Sequence, residues 1–149
     1  MNLYEAALQI ATEAHEGQFR DDGKPYITHP VAVAKIVGNW FSSDSPLYDC
    51  TRAVALLHDV VEDTEKTLSD INLDMLRLVD EPHRIRSIVE DVRVLTHGEE
   101  TYTEYILNIK NSSSISSLVK RADLKHNLSD HKPGARRDKY ELAVALLNA

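Results

Sequence analysis

The stretch "ALLHDVVEDT", Ala55–Thr64, starts as an apolar helix and ends in polar groups. The run "AVALL", Ala53–Leu57, is apolar on several sides, as only a helix enclosed by other helices can be. His58-Asp59 and Glu62-Asp63 follow at one-turn spacing. A third helix unbroken from about Leu47 to Glu62 would stack His58 over Glu62 and Asp59 over Asp63. Two acids in a last turn oppose the helix macrodipole, which favours cations there. The penalty is small, but its sign points to chemistry rather than to a solvated helix end.

Helical periodicity continues on both sides. Leu3, Ala6, Ala7, Ile10, Ala11 and Ala14 form one stripe, and the turn-rich "GQFRDDGKPYITH" follows it. Pro30 suits the first position of a second helix through Phe41, with "SSDSP" as its breaker. Thr67 and Asp70 make a capping-box start for "LSDINLDMLRLV". Ile85, Ile88, Val89, Val92 and Leu95 mark a fifth helix ending at Gly98. Thr101 with Glu104 starts a sixth. "NSSSISS" separates it from "SLVKRADLKHNL", and "HKPG" precedes the last helix, "ARRDKYELAVALL". No useful strand alternation appears. The expected class is all-α, one compact bundle of about eight helices formed by a single domain, 1–149. Trp40, Phe41 and the stripe tyrosines are read as core.

Composition agrees with that class. The chain has 149 residues, 42% hydrophobic and 28% charged, with one cysteine, Cys50, and therefore no internal disulfide framework. Its start makes a poor signal peptide and no segment reaches the roughly 20 apolar residues of a membrane span. The expected location is cytoplasmic, without membrane partners. A formal charge of −7 argues against a nucleic-acid-binding face but not against a nucleotide substrate, which needs only a local positive centre. The sequence assigns no oligomeric state.

Two further positions bear on the His58-Asp59 pair. In "YITHPVAV", His29 stands on the N-cap side of the second helix, and in "VKRADLKHNL", Asp123 interrupts an apolar stretch. Singly, His29 reads as a cap and Asp123 as a surface residue or an ion-pair member. Together, two neutral imidazoles and two carboxylates neutralise a divalent cation. Mixed N/O ligation suits Mn²⁺, Fe²⁺ or Zn²⁺ better than Mg²⁺, and four protein ligands leave positions open for water and a phosphate oxygen.

The order His … His-Asp … Asp along a helical chain resembles the HD superfamily of metal-dependent phosphohydrolases. "AHEGQFRDDGKPYITHP", "ALLHDVVEDT" and "VKRADLKHNL" together resemble the RelA/SpoT hydrolase domain and the small alarmone hydrolases. The resemblance implies that His29, His58, Asp59 and Asp123 hold a metal, usually Mn²⁺, and that Glu62 and Asp63 are the catalytic acids. It implies hydrolysis of (p)ppGpp at the 3′ position with release of pyrophosphate. It places Arg20 beside the guanine base and Asn127 on the nucleotide pocket. Lys24, on the same loop as Arg20, is a candidate to meet an outer phosphate, against the plain reading of an exposed loop lysine.

The chain departs from that pattern in two places. Asp21-Asp22 follow Arg20 where the family often carries a base, and Leu124 replaces the arginine after the last aspartate. Nothing within these 149 residues resembles a synthetase half. The alternatives are an HD phosphohydrolase of another nucleotide or phosphate ester, and a non-catalytic nucleotide-binding module. Intact Glu62 and Asp63 weigh against the second. His15 is read first as a polar helix end and second as a group that supports the ligands, His126 as structural or as such a supporting group, and His97 and His131 as loop residues.

Overall fold

The computed structural model describes residues 1–130 and 133–149. His131, expected in the "HKPG" break, lies outside the described residues. Among the described residues nine helical segments follow in order: α1 Leu3–Ala14, α2 Thr28–Gly38, α3 Tyr48–Leu57, α4 Val60–Asp63, α5 Leu68–Leu78, α6 Pro82–Leu95, α7 Tyr102–Lys110, α8 Ser114–Asp130 and α9 Ala135–Asn148. Among the described residues no strand forms, and one isolated bridge pairs Phe19 with Pro25.

α3 is the axis of the fold. It packs against α1, α2, α6 and α8. Every residue from Ala53 to Leu57 is fully buried, as its all-round apolar sequence requires. The amphipathic helices place their stripes around it, with Leu3, Ala6, Ala7 and Ile10 on α1 and Ile85, Ile88 and Val92 on α6 all buried. Both capping boxes form: Thr67 and Thr101 accept from the Asp70 and Glu104 N–H groups, and the two acids accept from the cap residues in return.

The structure corrects several boundaries. The expected third helix is two, broken at His58-Asp59, where Asp59 adopts φ −100° and ψ −3°. This raises the count from the expected eight to nine. α2 begins at Thr28, so His29 and Pro30 lie inside its first turn, where a proline lacks only an N–H that has no intrahelical partner. It ends at Gly38, and Trp40 beyond it is 42% exposed rather than core. α6 stops at Leu95, short of Gly98. Half of the expected serine break is helical, because the Ser113 hydroxyl accepts the Ser116 N–H and caps α8 at its start.

Candidate metal centre and nucleotide pocket

The break between α3 and α4 creates the centre. On an unbroken helix adjacent side chains diverge by about 100°. With α3 stopped at Leu57, the His58 ring and the Asp59 carboxylate converge instead, Nε2 to Oδ2 at 3.1 Å. α2 delivers His29 from one side and α8 delivers Asp123 from the other. His29 Nε2 lies 2.8 Å from Asp123 Oδ1 and 3.6 Å from Asp59 Oδ2, and His58 Nε2 lies 3.3 Å from Asp123 Oδ1. One ligand atom from each of the four residues falls within 4.8 Å of every other. His29, His58 and Asp123 are buried, and Asp59 is nearly so.

The donor set fits a divalent cation. His58 Nδ1 donates to the Ala55 carbonyl at 2.5 Å, which leaves Nε2 as the ligating nitrogen. His29 Nδ1 meets His126 Nδ1 at 2.7 Å, with the rings stacked, and so turns its own Nε2 inward. Tyr26 donates its hydroxyl to Asp59 Oδ2 at 2.7 Å. Asp123 Oδ2 accepts from the buried Lys120 ammonium at 2.9 Å, and Asn127 Nδ2 donates to Asp123 Oδ1 at 3.2 Å. Each of the four therefore has an outer partner fixing its orientation, as metal ligands generally do.

Electrostatics agree. Burial pulls the His58 imidazole down, but the Asp59 and Asp123 carboxylates outweigh it and hold the group well above its ordinary value. Burial pushes Asp59 up, yet His58 and His29 draw it down to about 2. Asp123 is drawn well below the usual range by Lys120 and the two imidazoles, against the same burial. The cluster thus demands positive charge at its middle. Burial lowers His126, which keeps it neutral and able to accept from His29.

Beside the cluster opens a cavity of about 1170 Å³, larger than most small-molecule sites and ample for a nucleotide. Glu62 and Asp63, on the single turn of α4, reach its wall. The His97 N–H donates to Glu62 Oε1, and the Gln18 amide donates to the Asp63 carbonyl at 2.7 Å, fixing the turn. Partial burial raises both carboxyls above the usual acid range. Arg20 enters from the loop after α1 and Asn127 from α8, and their side chains approach to 3.5 Å. Lys24 does not join them: its side chain is 71% exposed, 3.9 Å from Asp22, and it does not line the cavity.

Several contributors were not legible in the sequence. Lys120 is a buried ammonium under Asp123, where its i, i+3 spacing was an available signal. Tyr26 sits two residues before the Thr28 that begins α2, and its role depends on a contact 33 residues away. His15 closes α1 as expected of a helix end, but it is buried, tilted against the Tyr26 ring and bonded to Gln18. His97 stacks on Tyr105 beside the cavity, and α9 contributes Arg136, Lys139 and Tyr140 to its wall. The approach of α9 is tertiary and leaves no local sequence trace.

Comparison with known proteins places this geometry. The HD domain family model matches residues 7–111. The guanosine-3′,5′-bis(diphosphate) 3′-pyrophosphohydrolase of Haemophilus influenzae is 37% identical over 134 residues, covering 86% of this chain and 19% of that protein. The bifunctional (p)ppGpp synthase/hydrolase SpoT of Escherichia coli is 36% identical over 137 residues, 88% of this chain and 19% of its own. The chain thus spans about a fifth of the length of these curated relatives. The solved structure of a metazoan ortholog of SpoT, described as hydrolyzing ppGpp, superposes with a TM-score of 0.72 at 24% identity, covering 99% of this chain and 83% of that one. That likeness shows a shared all-α fold. Among the described residues no helix is long and apolar enough to cross a membrane. The HD match and the His/Asp cluster together indicate a divalent-metal centre, and the chain belongs to the HD domain family.

Proposed function

We propose that this chain is a metal-dependent nucleotide phosphohydrolase that removes pyrophosphate from the 3′ position of (p)ppGpp. In this reading residues 1–149 form one hydrolase domain that works with Mn²⁺ in the cytoplasm. One observation carries it: four ligand atoms gathered from α2, the α3–α4 break and α8, with an acid pair on the adjoining turn of a nucleotide-sized cavity. The names of the relatives, and Arg20 and Asn127 beside that cavity, support the choice of nucleotide.

His29, His58, Asp59 and Asp123 hold the cation, and their mixed N/O donors favour Mn²⁺ over Mg²⁺. When bound, the cation would supply Lewis-acid charge and make water more acidic. Glu62 and Asp63, raised by burial, orient the attacking water and take its proton as its oxygen bonds to the 3′-phosphorus. The 3′-oxygen–phosphorus bond breaks, pyrophosphate leaves, and the 3′-oxygen takes up a proton. Arg20 offers a planar guanidinium to the purine, and Asn127 steadies both Arg20 and Asp123.

A substrate panel assayed on purified protein, with Mn²⁺ and again with chelator, tests the reading. Pyrophosphate release from (p)ppGpp that chelator stops is expected. Orthophosphate from another nucleotide would instead favour a second reading, hydrolysis of a different phosphate ester at the same site. Asp21 and Asp22 on the cavity wall, where the resembled family carries a base, favour that alternative.

Two further outcomes follow from the centre. Tyr26→Phe removes the hydroxyl that orients Asp59 and should weaken Mn²⁺ binding about 10–100-fold with the fold intact, measured by metal titration. In chelated protein, the stability contributed by raised His58 is complete below its unfolded value of about 6.5 and is lost as pH rises through the folded one. That from depressed Asp59 is complete above about 4 and is lost as pH falls toward about 2. The melting temperature of chelated protein should therefore peak between about pH 4 and 6.5. Added Mn²⁺ should raise it chiefly above that window, where the cation replaces the proton.

A further inference from the structure

Seven carboxylates and four Lys/Arg side chains line the cavity among the described residues, so it stays net negative even with a divalent cation bound. A substrate carrying several phosphates needs a local cation there. Three of the four bases are already matched. Arg20 pairs with Asp130 at 3.1 Å, Arg136 with Asp21 at 3.1 Å, and Lys120 with Asp123 at 2.9 Å. The Asp21–Arg136 pair in particular spends one base of the α9 wall on the acid that follows Arg20.

Lys139 differs. It projects from α9 with its ammonium 4.1 Å from the centroid of the Tyr102 ring, and among the described residues no carboxylate lies within ion-pair reach of it. Tyr102 stands edge-on to Tyr105, whose ring lies 5.2 Å from the Lys120 ammonium beneath Asp123. The two tyrosines thus form an uncharged step between the metal centre and Lys139. Lys139 itself is exposed while the Tyr102 ring is half-buried, and the flexible lysine stem lets the point charge turn toward a phosphate.

We infer that Lys139 is a phosphate-binding residue, supplying from α9 the charge that the Arg20 loop lacks through Asp21-Asp22, and so setting preference for multiply phosphorylated nucleotides. The inference rests on the hydrolase reading for its substrate but not for its test. Lys139→Met, Lys139→Gln and Lys139→Arg are compared with wild type, all loaded with Mn²⁺. Binding of inorganic pyrophosphate is measured by calorimetry, alongside KM and kcat for (p)ppGpp. Lys139 is exposed, so these substitutions leave folding intact.

Lys139→Met and Lys139→Gln should weaken pyrophosphate and raise KM by about tenfold each, the scale of one charged hydrogen bond, with kcat within about twofold. Lys139→Arg should restore most of the affinity. Equal pyrophosphate affinity in wild type and Lys139→Met overturns the inference, as does wild type that binds no pyrophosphate. A wild type that binds pyrophosphate through Lys139 yet releases none from (p)ppGpp leaves the inference standing and overturns the substrate reading.

Discussion

Asp59→Ala should purify as a folded helical protein that binds no Mn²⁺ at the α3–α4 break and turns over at background, at least about 10³-fold below wild type. Asp59 is one of two carboxylates in the cluster, and removing it leaves a single negative charge to balance a divalent ion. The loss is not structural. Asp59 lies outside both α3 and α4, and what it gives up is the Tyr26 hydroxyl bond and the approach of His58 and His29, none of them part of the apolar core. Metal analysis, circular dichroism and turnover after chelation and Mn²⁺ add-back check the three parts separately. Activity that returns to wild-type level on add-back would remove Asp59 from the ligand set.

Glu62→Gln separates proton transfer from metal binding. Glutamine keeps the length of the side chain and an Oε1 acceptor for the His97 N–H, so the α4 turn stays in place. It cannot take up a proton. Metal stoichiometry should match wild type while kcat falls by about 10²–10⁴-fold, the usual contribution of a positioned general base. Metal loss as complete as in Asp59→Ala would make Glu62 a ligand instead. Asp63 shares the cavity wall and is also raised by burial, so residual activity in Glu62→Gln should fall further on adding Asp63→Asn.

Much of the fold was legible because its signals are local. The all-round apolar "AVALL" stretch announced a buried helix, and α3 is the axis of the bundle. Thr67 with Asp70 and Thr101 with Glu104 announced two helix starts, and both boxes form. What local pattern missed was the break at His58-Asp59. Helical periodicity runs through that point without a proline or glycine, and only the requirement that adjacent side chains meet one centre reveals why the helix stops.

The candidate site divides in the same way. His29, His58, Asp59 and Asp123 stood out as polar residues in apolar or capping contexts, and the structure brings them together. Lys24 stood out for its charge, but its ammonium stays in solvent 3.9 Å from Asp22 and does not line the cavity. Tyr26, His15 and Lys120 gave little signal, because tyrosine, histidine and lysine at helix boundaries or on helix faces are common. Their importance comes from partners on other helices. The α9 wall with Lys139 depends on where the last helix packs, against α7 and α8, which no short stretch encodes.

The most direct measurement is diffraction from crystals grown with Mn²⁺, recorded at the manganese absorption edge. One anomalous peak per chain is expected, about 2.0–2.3 Å from His29 Nε2, His58 Nε2 and one oxygen each of Asp59 and Asp123. A peak elsewhere, or none at this cluster with manganese bound in solution, would contradict that placement.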